Sequence, residues 1–203
     1  MRQQKQERSL APFLRQIRPL GLLYGIVVLR DYVRMSMTSF LPLLLTAAGH
    51  SLLVGGLTVS LFSLAGAIGG IVGGYLSDRW GRKEMLIVSS GLVSPFFLGF
   101  FSLEGMAAFC SLLLGSVCIQ SASSVVVAYA QELVPERTGT VSSLVMGFGW
   151  GMAALALPLT GSLADTYGIA TTLKGLSLLP LLGMGLALAL PRTPRVLNEE
   201  GKE

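Results

Sequence analysis

From residue 20 to residue 190 the sequence is a train of apolar stretches, each close to the roughly 20 residues that an α-helix needs to cross the hydrocarbon core of a bilayer. Six fit, over residues 20–45, 53–76, 85–101, 106–130, 141–163 and 169–190, with short connections between them. One such stretch could be the buried core of a soluble domain. Six leave almost no polar chain to cover them, and 52% of the residues are hydrophobic while only 13% are charged. Lipid is therefore the expected solvent, and helices satisfy their own backbone groups there. The reading is an all-α membrane protein, with a basic segment over 1–19, a six-helix bundle over 20–190 and a tail over 191–203.

Twelve of the fifteen Lys and Arg residues fall on one side if both termini are cytoplasmic; Lys174 alone falls outside, and Arg30 and Arg34 lie inside the membrane. Both termini are thus expected in the cytoplasm, with the chain multi-pass in the cell inner membrane. A cleavable signal peptide is a poor reading of the N-terminus. The apolar run after Pro19 meets Arg30, Asp31 and Arg34 before any small-residue cleavage site, so it reads as a retained span. The net charge of +4 does not indicate nucleic acid, because the cations are parted by apolar spans and not gathered on one face. Cys110 and Cys118 lie about 12 Å apart along one helix, too far for a disulfide.

An internal repeat follows. Gly74-Tyr75-Leu76-Ser77-Asp78-Arg79-Trp80-Gly81 closes the second stretch, and Gly161-Ser162-Leu163-Ala164-Asp165-Thr166-Tyr167-Gly168 closes the fifth. Both read Gly-x-Leu-small-Asp-x-x-Gly. With both termini inside, the first copy is cytoplasmic and the second external, so stretches one to three and four to six are expected to be inverted copies. Inverted three-helix repeats are a signature of secondary transporters.

The segment Gly73-Gly74-Tyr75-Leu76-Ser77-Asp78-Arg79-Trp80-Gly81-Arg82-Lys83 stands where a span ends and a tight cytoplasmic turn begins. Glycines allow close backbone approach, Asp78 could accept from amides at a neighbouring helix N-terminus, and Arg79, Arg82 and Lys83 could neutralise lipid phosphates or carboxylates. A merely basic loop would explain the cations, but neither the glycines nor Asp78. The segment resembles the loop signature of the major facilitator superfamily. With Gln131-Glu132-Leu133-Val134-Pro135-Glu136-Arg137, Gly147-Phe148-Gly149-Trp150-Gly151 and the second Asp165 copy, the chain looks like the C-terminal half of fosmidomycin-resistance-type efflux transporters. That resemblance implies a fold of twelve helices in two such halves, of which this chain carries one. It also implies export of a small organic molecule, with protons as coupling ion, and a latch formed by Gly74, Asp78, Arg79, Gly81, Arg82 and Lys83.

Arg30, Asp31 and Arg34 are the largest energetic anomaly. A cation at the centre of a membrane helix costs at least about 2.5–3.5 kcal/mol, and Arg30 lies ten residues after Leu20, about 15 Å into a core roughly 30 Å thick. Asp31 can reach Arg34 at i+3. The triad is either a site for an anionic substrate or proton, or a structural ion pair with one arginine snorkelling. On the fourth stretch Ser116, Gln120 and Ser124 share a face, which lines a polar cavity or bonds a neighbouring helix. Gln120 joins the triad as a candidate pathway residue. Gly66 with Gly70, and Gly147 with Gly151, offer flat faces for helix packing, as do Gly69 and Gly73. The second copy contributes Gly161, Asp165 and Gly168. His50 reads as a solvated loop residue.

No hydrolase elbow, zinc motif or phosphate-binding loop occurs, and no cofactor or metal is expected. The expectation is a half-length secondary transporter, partnered by membrane lipid, a small-molecule substrate, and a second six-helix half or another copy of itself. The rival is a non-transporting membrane subunit or transporter fragment that needs another half.

Overall fold

The structure is a computed structural model and describes residues 16–191. The expected segments 1–19 and 191–203 therefore lie almost wholly outside the described residues. Eight α-helices run in order: α1 Ile17–Ala47, α2 Leu52–Trp80, α3 Arg82–Ser102, α4 Gly105–Leu133, α5 Thr138–Ser143, α6 Gly149–Tyr167, α7 Ile169–Leu176 and α8 Leu179–Leu188. A 3₁₀ turn, Pro135–Arg137, leads into α5, and a π-helical turn, Leu144–Phe148, joins α5 to α6. These form six helical segments, the fifth being Pro135–Tyr167 and the sixth Ile169–Leu188. Five are long and apolar enough to cross a membrane. α1 is also long enough, at 31 residues, but holds the Arg30, Asp31 and Arg34 charges. No strand occurs among the described residues.

The helices overrun the expected spans by several residues at their ends, so the motif at the α2–α3 turn is mostly helical. Asp78 and Arg79 belong to the last turn of α2, and Arg82 and Lys83 to the first turn of α3. Gly81 alone interrupts, at φ 110° and ψ 147°, in the region that a Cβ disfavours. Gly168 does the same between α6 and α7, at φ 86° and ψ 150°. Each glycine donates its N–H four residues back, to Ser77 O and Ala164 O, before the chain turns into the next helix. The two sequence copies thus build one backbone device twice.

Packing carries the same symmetry. The second segment packs on the fourth, and the first on the fifth; the third packs on the fourth, and the first on the sixth; third and sixth pack together. Exchanging segments one, two and three with four, five and six maps this set of contacts onto itself, as expected for two structural repeats.

Prolines act by position. Pro42, Pro95 and Pro158 sit within helices, but the sixth segment breaks at Ser177 and Leu178. Pro180 would clash with the Leu176 carbonyl of a continuous helix, and it stands instead in the first turn of α8.

Two apolar clusters fill the bundle. One gathers Leu23, Ile26, Val27, Leu86, Val125 and Tyr129 near the α2–α3 turn, and the other gathers Val33, Met37, Phe62, Phe97, Ile119 and Leu173 towards the opposite end. Along α1, Val27 belongs to the first and Tyr32 to the second. Arg30 and Asp31 lie between them.

Candidate functional site

Asp31 is fully buried and Arg30 is 8% exposed. Arg30 Nη2 donates to Asp31 Oδ2 at 2.8 Å, while Arg34 Nε stands 3.4 Å from Asp31 Oδ1. The expected i+3 contact is present, but the closer partner is the adjacent residue. Arg34 is half-buried, and its guanidinium lies 5.4 Å from the centre of the Trp150 ring on α6, within range of a cation–π contact. Two cations face one carboxylate. Among the described residues every other Asp or Glu lies at a helix end or in a connection, so the centre of the bundle carries one uncompensated positive charge.

Arg30 also lines a narrow cleft between α1, α3, α4 and α8, with Ser89, Ser90, Cys118, Ala122 and Gly183 among its walls. Its Nε and Nη1 are buried without a hydrogen-bond partner.

A second polar group sits one turn further along α1. Ser36 Oγ and Thr160 Oγ1 are 2.9 Å apart, and Thr160 Oγ1 donates to Tyr32 Oη at 2.9 Å. This link ties α1 to α6. The sequence reading missed Tyr32 and Thr160; the spacing of Tyr32 and Ser36 at i,i+4 was the available signal, but nothing local pointed to Thr160.

Gln120 does not join the triad. The cleft beside Arg30 meets α4 at Cys118, Ile119 and Ala122, whereas Gln120 lies about 200° round the helix from Cys118. Its Cβ and Cγ face Gly66 of α2. Ser116 donates to Phe62 O, and Ser124 to Gly70 O at 2.8 Å, so the Ser116–Gln120–Ser124 face bonds α2 and does not line the cleft.

The close approach of α2 to α4 rests on Gly69 and Gly73. A Cβ at either would come under 3.0 Å from the backbone of Val117 or Ser121. Gly66 is also tight, against Ser116 and Gln120, while Gly70 has only Gln120 O within 4 Å. On α6 the packed glycine is Gly149, against Val27. Gly147 and Gly151, expected to pack, are exposed with no atom within 4 Å of a Cβ, because they lie on the far side of the helix from Gly149.

At the α2–α3 turn the cations bind protein groups. Arg82 pairs with Asp78, donates to Ser77 Oγ at 2.6 Å, and reaches Glu132 Oε1 on α4 at 3.0 Å. Lys83 Nζ donates to Leu188 O and Leu190 O at 2.7 and 2.6 Å, satisfying carbonyls left orphaned at the end of α8. Arg79 lies 4.6 Å from the Tyr75 ring centre. Tyr129 adds a bond to Pro191 O. Asp78 is exposed and meets no helix N-terminus among the described residues; its partner is Arg82, one turn on, because both stand on the same face across the Gly81 turn. Gly74 adjoins Ser124, Gly161 has Phe40 alone near it, and Asp165 is exposed without an ion pair among the described residues. His50 is exposed in the α1–α2 connection. No cluster of three metal-binding side chains occurs among the described residues.

The sequence model of the Major Facilitator Superfamily matches residues 22–203. The chain belongs to the major facilitator superfamily. It is 37% identical over 133 residues to the uncharacterized MFS-type transporter YfnC of Bacillus subtilis (strain 168), covering 66% of this chain and 32% of that one. It is 39% identical over 132 residues to the fosmidomycin resistance protein of Escherichia coli (strain K12), covering 64% and 32%. The enterobactin exporter EntS of Citrobacter koseri is 28% identical over 177 residues, covering 76% of this chain and 40% of that one. The inward-open xylose transporter XylE from E. coli shares the fold, with a TM-score of 0.69 at 20% identity, over 91% of this chain and 50% of that one. The chain thus spans about a third of the length of the first two relatives. Membership makes it a multi-pass membrane protein of a transporter family, and not an enzyme.

Proposed function

We propose that the chain acts as one six-helix half of a secondary active transporter, exporting a small organic molecule against protons by rocking against a second half or a second copy. The observation that carries this reading is the triad Arg30–Asp31–Arg34, buried between two apolar clusters in the middle of α1. Ion pairs that only stabilise are rare in a membrane interior, where ionisable groups are costly and mark ion or substrate pathways. In this reading Arg34 and Asp31 meet substrate or proton on the side of Trp150, and Arg30 holds the carboxylate from behind. α1 is the sixth span and both termini are cytoplasmic, in keeping with the flanking cations. The names of the fosmidomycin resistance protein and the enterobactin exporter support export.

A partner is supported by the outward faces. Gly147 and Gly151 share one exposed face of the fifth segment, and Phe148, Trp150 and Leu155 are also exposed there. The latch reading of the α2–α3 turn is retained with new contacts: Gly81 sets the turn, Arg82 binds α4, and Lys83 holds α8.

The test is transport into liposomes by the purified chain, alone and together with a candidate second half, with and without a proton gradient. Gradient-dependent uptake that Asp31→Asn abolishes per inserted molecule supports the reading. Uptake indifferent to the gradient removes proton coupling, and no uptake in any combination favours a non-transporting subunit.

A further inference from the structure

We propose that the cleft beside Arg30 binds a small inorganic monoanion of the chloride class, which serves as the second counter-charge of the triad. The charge count makes the case. Asp31 supplies one negative charge to the guanidiniums of Arg30 and Arg34, and it is shared, with its two oxygens turned to different arginines. Arg34 has the Trp150 ring and is less deeply buried. Arg30 has neither relief: it is more than nine-tenths buried, and two of its nitrogens lack partners. A buried cation without full pairing is strongly disfavoured in low dielectric.

The place of the missing anion is set by the fold. The cleft lined by Arg30 is walled by α1, α3, α4 and α8 of this chain, and no residue of α6, where Trp150 stands beside Arg34, is among its walls. The cleft is narrow, admitting spheres about the size of a water, so it suits a water or a single-atom ion better than an organic substrate. The lining offers a donor: Ser90 is buried there with no hydrogen bond among the described residues, whereas the Ser89 hydroxyl is committed to Leu86 O at 3.3 Å. An ion in the cleft lies against the guanidinium of Arg30, whose Nε or Nη1 a small turn of the side chain brings to it, and accepts from the Ser90 hydroxyl. Gly183 leaves room for it on the α8 side, since the Ser90 Oγ is the one atom within 4 Å of where a Cβ would stand. A water would satisfy the same donors but would leave the charge uncompensated.

The test uses the full chain in lipid nanodiscs and reads its thermal unfolding midpoint as chloride replaces gluconate at constant ionic strength. Binding to the folded state alone raises the midpoint saturably. The expected result is a rise of a few degrees that levels off, is reproduced by bromide, and is lost in Arg30→Gln and in Gly183→Val. Gly183→Val adds bulk to the cleft from α8 and leaves the Arg30 and Asp31 side chains themselves in place, so it decides the matter if Arg30→Gln does not fold. Equal midpoints in chloride and gluconate overturn the proposal, as does a rise that persists in Gly183→Val, which marks a general salt effect. Transport is not read in this measurement, so its failure is distinct from failure of the transport reading.

Discussion

Arg30 reaches sideways round α1 to bind Asp31, its immediate neighbour, at 2.8 Å. Consecutive residues on a helix point about 100° apart and do not normally face each other. The guanidinium arm is long enough to make the contact, and its Nε and Nη1 find no other acceptor among the described residues. The pair is therefore a poor candidate for a merely geometric salt bridge, and its two members respond differently to substitution.

Replacing Arg30 by Lys keeps the charge but removes the planar fork that spans from Cδ to Asp31. Transport per inserted molecule is expected to fall by at least about tenfold, the worth of one charge-assisted hydrogen bond, while insertion is retained. Equal specific activity in Arg30→Lys and wild type sinks the site assignment. Asp31→Asn leaves two arginines without their carboxylate, and removing one partner of a buried pair costs about 3–5 kcal/mol. Adding Arg34→Leu to Asp31→Asn should restore part of the lost stability; a double variant no more stable than Asp31→Asn would show that charge imbalance is not the cause.

The glycines of α2 and α6 separate packing inside the chain from packing against a partner. Gly69→Ala and Gly73→Ala each drive a Cβ into the backbone of α4 and should lower thermal stability by about 1–3 kcal/mol or more. Gly151→Ala meets open space, so it should leave the stability of the chain unchanged or raise it by up to about 1 kcal/mol. If a second half docks on this face, Gly151→Leu should weaken co-purification without changing the melting of the chain alone. Unaltered co-purification would move the partner surface elsewhere.

Asp78 is 62% exposed and paired within the motif, so Asp78→Asn should cost no more than about 1 kcal/mol in stability. The expected effect is a changed balance of inward-open and outward-open states, measured by labelling engineered cysteines on either side. Lys83→Met should have the larger effect on stability, because it strips a cap from α8 that nothing else supplies among the described residues. If labelling is unchanged in both variants, the latch reading fails.

Reporter fusions after Glu203 should report a cytoplasmic C-terminus, with fusions in the α1–α2 connection at His50 reporting the opposite side. A periplasmic signal at Glu203 would reverse the assigned orientation, and matching signals at the two sites would remove α1 as a span.

The helices were legible because apolar length is a local quantity, measured against a bilayer of fixed thickness. The same holds for the Gly81 and Gly168 turns, since a repeated Gly-x-Leu-small-Asp-x-x-Gly string needs one residue free to take positive φ in each copy. The triad also announced itself, because charge inside an apolar run is anomalous wherever the helix points. Facing was another matter. In lipid both sides of a helix such as α2 are apolar, so its periodicity gives no sign of which side meets a neighbour. Only the crossing of α2 on α4 decided that Gly69 and Gly73 touch while Gly70 barely does, and that Gln120 turns to α2 and away from Arg30. Only the bundle brought Thr160 to Tyr32, Lys83 to the end of α8, and Trp150 over Arg34. Those pairs are separated by more than a hundred residues, and the rotation of each helix about its own axis, which sets them, is fixed by contacts that no single stretch of sequence contains.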